Sequence, residues 1–231
     1  MCQRCRVRTP RVVRFLSVAV VTASILSLSA VNAPVAASDS CPDVEVVFAR
    51  GTSDRAGVGF VGKAFIDSLK WKLLGKRVST YAVDYPASWN FSKSTSAGAL
   101  DANKHVQYVA GICPNTKIVL GGMSQGAGVI DLITIGDRTI WFFKPAPLPD
   151  TMVDHVAAIA VFGNPSRDVP TLGPLTEISP LYGHKTIDQC ATGDPYCSRG
   201  INFFAHFAYP WNGMVSEAAE FVAGRILNNE T

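Results

Sequence analysis

Gly122-Met123-Ser124-Gln125-Gly126 follows the apolar run Ile118-Val119-Leu120 and precedes Val129, Leu132 and Ile133 at helical spacing. In that setting a G-x-S-x-G pattern describes a tight strand-to-helix turn, in which small residues flank a serine whose hydroxyl stands exposed at the sheet edge. The chemistry on offer is nucleophilic attack. It needs partners, because a serine hydroxyl is a poor nucleophile until a base takes its proton and a carboxylate holds that base in the right tautomer. The bland alternative is a glycine-rich turn whose serine caps the following helix.

Enzymes built on such a turn supply serine, acid and histidine in that chain order. His155, His184 and His206 follow Ser124, whereas His105 precedes it on an expected helix and reads as a surface residue. His155 opens an apolar strand at the amino end of the sheet, the wrong edge for chemistry. Asp168, Asp188 and Asp194 are the candidate acids. Asp194 lies between Cys190 and Cys197, in a loop that a short disulfide would rigidify, and a loop held that way can fix a carboxylate against an imidazole. Only His206 follows Asp194, so the order rule groups Ser124, Asp194 and His206. Asp188 is the other acid, readable instead as a strand residue satisfying local backbone.

The elements that must hold these residues follow from periodicity. Val44 to Ala49 is a β-branched and aromatic run ending at Arg50-Gly51-Thr52; Val61, Phe65, Leu69 and Leu73 then recur at helical spacing, giving a helix over 61–74. Val78 to Tyr85 is a second strand stopped by Pro86, and Ala97 to Ile112 a second helix with Leu100, Val106, Tyr108 and Val109 as its apolar positions. Ile118 to Leu120, Val156 to Phe162 and Thr186 to Cys190 are further strands, the middle one apolar throughout, as in parallel sheets buried on both faces. Met214 to Leu227 is a closing amphipathic helix. Strands alternating with helices imply right-handed βαβ units and an α/β fold with a covered parallel sheet. Trp141-Phe142-Phe143-Lys144-Pro145-Ala146-Pro147 and the stretch from Asn164 to Gly183 read as loops at the edge where such sheets bind ligands. Trp141 to Phe143 is either a cap on the core or an exposed apolar rim.

Arg4, Arg6, Arg8, Arg11 and Arg14 stand before an apolar stretch from Phe15 to Val31 and small residues at Ala33, Val35 and Ala37. This is the layout of a signal peptide over residues 1–37, leaving 38–231 as one domain. Cleavage removes those five arginines and no acid, so the formal charge falls from +3 to −2. No basic stripe remains, which argues against a nucleic-acid partner and a polybasic membrane patch. Cys41, Cys113, Cys190 and Cys197 stay, and an even number in an exported chain reads as two disulfides with three possible connectivities. Spacing favours Cys190 with Cys197. A zinc site is the rival reading, but these four lack any C-x-x-C pair or nearby histidine cluster.

Ala49-Arg50-Gly51-Thr52, Gly122-Met123-Ser124-Gln125-Gly126, Cys190-x-x-x-Asp194-Pro195-x-Cys197 and His206-x-x-Tyr209, in that order, resemble the cutinase family, above all its mycobacterial members, over about residues 41 to 227. The resemblance implies a three-layer α/β-hydrolase with a central five-stranded parallel sheet, helices on both faces and little or no lid. It implies disulfides Cys41–Cys113 and Cys190–Cys197, and a triad of Ser124, Asp194 and His206. It also implies an oxyanion hole at Thr52 and Gln125, where the N–H after the nucleophile and another after the first strand meet developing charge. Met123 stands where many members have tyrosine, and Ser53-Asp54 where many have Thr-Glu. Both departures touch the walls of the site and remove no catalytic atom.

The expected function is a secreted serine carboxylester hydrolase that cleaves short- to medium-chain, lipid-like acyl esters through an acyl-enzyme, without metal or organic cofactor. A polysaccharide deacetylase of the acetylxylan-esterase kind, a phospholipase or thioesterase, and a non-catalytic secreted binding protein are the alternatives. The expected setting is outside the cell, as a monomer in peripheral contact with a lipid surface or the cell wall.

Overall fold

Alternation along the first strand decides the architecture. In β1 (Val44–Ala49), Val44, Val46 and Phe48 pack to one side of the sheet, and Val47 and Ala49 to the other; all five are fully buried. A strand apolar on both sides needs cover on both. In the computed structural model, which describes residues 41–138, 140 and 142–228, helices supply that cover. α1 (Gly59–Lys72) and α5 (Met214–Asn228) pack on the Val46 and Phe48 face, while α2 (Phe91–Ile112) and α3 (Gln125–Thr134) pack on the other. α4 (Leu175–Ile178) is a single turn. The signal peptide expected over residues 1–37, and Trp141, lie outside the described residues.

The sheet has five parallel strands, as expected. β1, β2 (Val78–Ala82), β3 (Lys117–Met123), β4 (Val156–Phe162) and β5 (Thr186–Gln189) lie in the order β2-β1-β3-β4-β5. The chain runs one way from β1 to β2 and the other way from β3 onward, so the switch point lies between β1 and β3. Ala49 pairs with Gly122 there, which sets the loop after β1 beside the turn after β3.

Four local readings are corrected. The second strand stops at Ala82 because the chain then turns toward Arg50, which donates to the carbonyls of Val83 at 3.5 Å and Tyr85 at 2.6 Å. α2 starts at Phe91, where the Asn90 side chain accepts the Lys93 N–H as an N-cap. Its Val106 and Val109 are buried as expected, but Leu100 and Tyr108 face solvent, and Ala99 and Ala102 fill the interface instead. Small residues there bring α2 close to the sheet and α3. His105 is not a surface residue either. Its ring lies 3.4 Å above Tyr81 with 4° between the planes, and Nε2 pairs with Glu45 of β1. The hydrogen bond from His105 holds the Glu45 carboxyl below its ordinary range, against the opposing push of burial.

Cys41–Cys113 ties the segment before β1 to the end of α2, and Cys190–Cys197 closes the short loop after β5. Among the described residues, no helix is long and apolar enough to cross a membrane and no side-chain cluster is suited to a metal ion.

Candidate active site

β3 runs straight into the serine turn. Ser124 has φ +54°, and its N–H donates to Phe162 O at 2.9 Å, tying the turn to the end of β4. A non-glycine residue held there stores of the order of 1–3 kcal/mol of strain. The flanking glycines are sterically required. A Cβ on Gly122 would stand 2.2 Å from Gly126 O, and one on Gly126 would stand 2.0 Å from Ala49 O. The helix-capping alternative is not what the turn does: Ser124 occupies the N-cap position of α3, but its side chain makes no capping hydrogen bond.

His206 sits on a 3-10 turn (Phe203–Phe207) and is 4% exposed. Its Nδ1 lies 2.8 Å from Asp194 Oδ2, so the carboxylate accepts the Nδ1–H hydrogen bond and leaves Nε2 as the free nitrogen of the neutral ring. Asp194 is fully buried and held on several sides. Tyr209 Oη donates to Oδ2 at 2.6 Å, Tyr196 N–H donates to Oδ1 at 2.9 Å, and its own N–H donates to Ala191 O at 2.9 Å. Burial pushes the Asp194 carboxyl up, but the hydrogen bonds from His206, Tyr209 and Tyr196 prevail and hold it below the ordinary range. Below the imidazole lies Gly163 at φ +57°, so close that a Cβ there would stand 2.8 Å from Cε1.

Ser124, His206, Thr52 and Gln125 all line one cavity of about 560 Å³, and Asp194 stands behind His206. The first residue of a helix has no partner for its N–H within the helix, which leaves the Gln125 N–H available beside Ser124. Its side chain is held elsewhere: Oε1 accepts from Ser94 Oγ at 3.1 Å, and Nε2 donates to Ser88 O at 2.9 Å. The Thr52 loop is anchored by Arg50 Nε to Asp54 O at 3.1 Å and by Ser53 N–H to Ala87 O at 2.8 Å. Asp54, one of the departures from the family pattern, accepts the Gly51 N–H at 3.0 Å.

The other acids and histidines lie elsewhere. Asp188 accepts the Leu175 N–H at 2.7 Å, Asp168 is exposed, and His155 and His184 precede β4 and β5 at the amino edge of the sheet. In the aromatic loop both readings hold in part. Phe142 is 80% exposed at the cavity, whereas Phe143 packs against the core. Ser92 Oγ donates to Phe142 O at 2.6 Å, Lys144 N–H donates to Ser96 Oγ at 2.8 Å, and Asn103 Nδ2 donates to Ala146 and Pro147 carbonyls at 2.9 Å, binding this loop to α2.

Two residues of the site are missed in the sequence reading. Tyr209 is visible there only as part of a spacing, although its hydroxyl doubles the support of Asp194. Asp131 lines the cavity from α3, and its signal is an acid inside the apolar helix run Val129-Ile130-Asp131-Leu132-Ile133.

A parallel sheet sandwiched by helices, with a strained serine turn at its carboxyl edge, is the arrangement of the α/β-hydrolase fold. The chain belongs to the cutinase family, whose sequence profile, described as Cutinase, matches residues 40–226. It is similar to Carboxylesterase Culp1 of Mycobacterium tuberculosis, 45% identical over 223 residues that cover 94% of this chain and 98% of that one. Phospholipase Culp4 of the same species is 45% identical over 216 residues, covering 94% and 92%. Among solved structures, Trichoderma reesei cutinase in complex with a phosphonate inhibitor superposes with a TM-score of 0.65 at 30% identity, covering 80% of this chain and 77% of that one.

Proposed function

We propose that this chain is an exported serine carboxylester hydrolase working through Ser124, His206 and Asp194. The observation that carries the reading is the 2.8 Å contact of His206 Nδ1 with buried Asp194, behind a cavity that His206 shares with Ser124. Ser124 Oγ attacks the ester carbonyl as His206 Nε2 takes its proton, and the N–H groups of Thr52 and Gln125 receive the oxyanion. His206 returns the proton to the leaving alcohol, and water then releases the acid from the acyl-enzyme by the same steps. Asp194 orients the imidazole and stabilises its cation.

The acyl chain lies in the apolar part of the cavity, along Leu132, Ile140, Phe143, Val169 and Leu172. Trp89, Phe142, Phe207 and Trp211 stand exposed around the mouth or near it, with Phe60 and Trp211 rings 5.1 Å apart, and this favours adsorption to a lipid surface or the cell wall. Residues 1–37 are the export signal, and the two disulfides fit an oxidising destination.

Rates on p-nitrophenyl esters of graded length, beside acetylated xylan and a phospholipid vesicle, test the reading. Medium acyl esters should be preferred, each buried methylene adding about 0.8 kcal/mol at most. Ser124→Ala should lower kcat by about 10⁶ with the fold intact. A Ser124→Ala protein retaining a tenth of the rate would overturn the nucleophile, and acetylated xylan as the best substrate would make the protein a deacetylase. The Culp4 relative carries the name phospholipase, so hydrolysis of the vesicle is the second outcome to compare.

A further inference from the structure

One acid in the cavity wall has no part in that mechanism. Asp131 lies on α3 about two turns past Ser124 and is 2% exposed. Asn164 Nδ2 donates to its Oδ1 at 3.0 Å and lies 3.4 Å from Asp188 Oδ2, and Asn164 is itself fully buried. A single amide therefore stands between two buried carboxyls, one from α3 and one from β5. Their remaining partners differ in charge. Asp188 accepts the Leu175 N–H and has Arg167 Nη1 3.4 Å from Oδ1, whereas Asp131 has only neutral partners, Asn164 and the Ser166 hydroxyl.

Two carboxylates so near and so dry disfavour double ionisation, and the guanidinium decides which one keeps its charge. Burial, and then repulsion from Asp188, pushes Asp131 up to about 8. Burial raises Asp188 as well, opposed by the Leu175 N–H and Arg167. Among the described residues, Asp188 of β5 and Arg167 of the Pro165–Asp168 turn are the charged groups at this junction; Asp168 points to solvent.

The junction also sits beside the general base. Asn164 follows Gly163, the residue whose backbone touches His206, and Gly163 N–H donates to Gln189 O at 2.8 Å. Asp131 belongs to the helix that Ser124 begins. We infer that Asp131 is a positioning residue: in its acid form it joins α3 to the Gly163–Ser166 segment and Asp188, keeping Ser124 and His206 in register, and its ionisation sets an upper pH limit on catalysis. This rests on the esterase reading of the site. An unfolded chain gives up the Asp131 proton near 3.8 and the folded protein near 8, so the stabilisation is full below about pH 4 and is lost as pH rises to about 8.

The test compares pH profiles of kcat/KM on p-nitrophenyl butyrate for the wild type and Asp131→Asn, with buffer hydrolysis subtracted. The amide keeps an acceptor for Asn164 Nδ2 and cannot ionise. The wild type should fall at least threefold between about pH 7 and 9.5 with a midpoint near 8, while Asp131→Asn stays level and gains thermal midpoint over the wild type as pH rises from about 4 to 8. The same alkaline fall in both proteins overturns the inference. Infrared spectra of the wild type need no variant: a buried carboxylic-acid carbonyl band should be present at neutral pH and disappear through about 8. Absence of that band overturns the inference even if Asp131→Asn does not fold. A wild type without esterase activity at any pH overturns the esterase reading instead, and the infrared titration alone then decides whether Asp131 is an acid.

Discussion

Ser124 is held by a turn with no spare room, Asp194 by a loop with many bonds. Around the serine the constraint is steric: neither Gly122 nor Gly126 has space for a methyl group, and the backbone is locked at positive φ between two strands and a helix. Around the acid there is no long element at all. The loop from Cys190 to Cys197 is shaped by a disulfide, by Tyr209, by the Tyr196 N–H that donates to Asp194 Oδ1, and by the Ser198 hydroxyl that donates to Asp194 O. A steric lock is indifferent to solvent but breaks on one added carbon. A bonded loop tolerates changes of size yet depends on redox state and on each donor keeping its proton.

The largest effect expected from this contrast is on the acid. Asp194→Asn preserves shape but offers Nδ1 of His206 a group that no longer selects the right tautomer, and kcat should drop about 10⁴ with little loss of stability. Steady-state kinetics on p-nitrophenyl butyrate beside a thermal melt would check it; a loss below tenfold would mean that the loop orients His206 without its carboxylate. Gly126→Ala probes the opposite side. With its Cβ placed 2.0 Å from Ala49 O, the turn must shift by a large part of an ångström, and about 10² in kcat should go with it. A normal rate in the folded variant would show that the steric lock has slack.

The smallest effect is the one that separates the two regions most cleanly. Replacing Cys190 and Cys197 by serine should remove about 2.5 kcal/mol on the loop-entropy account and lower kcat by about tenfold through a looser Asp194, leaving the serine turn untouched. The readout is denaturant unfolding together with the burst of p-nitrophenol at stoichiometric substrate. An equal loss in Cys41 and Cys113 variants would mean that both disulfides act only on global stability.

The same contrast explains what the sequence reveals. The serine turn is legible because sterics are local: glycine, serine and glycine at fixed spacing between a strand and a helix leave one solution. His206 and Asp194 are legible through chain order and a cysteine pair, which are local marks of a distant arrangement. The rest arises from packing across long separations. The β1–β3 pairing joins segments about seventy residues apart and leaves no periodic trace. His105 reads as solvent-facing until β1 brings Glu45 beneath it, and Leu100 reads as core until Ala99 and Ala102 show how close α2 approaches. Asp131 is polar in type but buried in fact, because the sheet and the Asn164–Gly173 segment cover a helix whose acid finds an amide and a hydroxyl there.

The order of the strands has a consequence for biosynthesis. The serine turn and the sheet strands on either side of it are complete once β4 has been made, but Asp194, His206 and α5 come only from Thr186 onward. α5 is also the helix that, with α1, covers Val46, Phe48, Ala158 and Ala160. A nascent or truncated chain that stops short of β5 therefore carries Ser124 without Asp194 or His206, and an apolar sheet face with half its cover. On the proposed mechanism such a chain is inactive, and its half-covered sheet face makes it prone to stick to its neighbours. On the proposed mechanism hydrolytic competence is the last property this polypeptide acquires, and it arrives with the helix that completes the cover of the sheet.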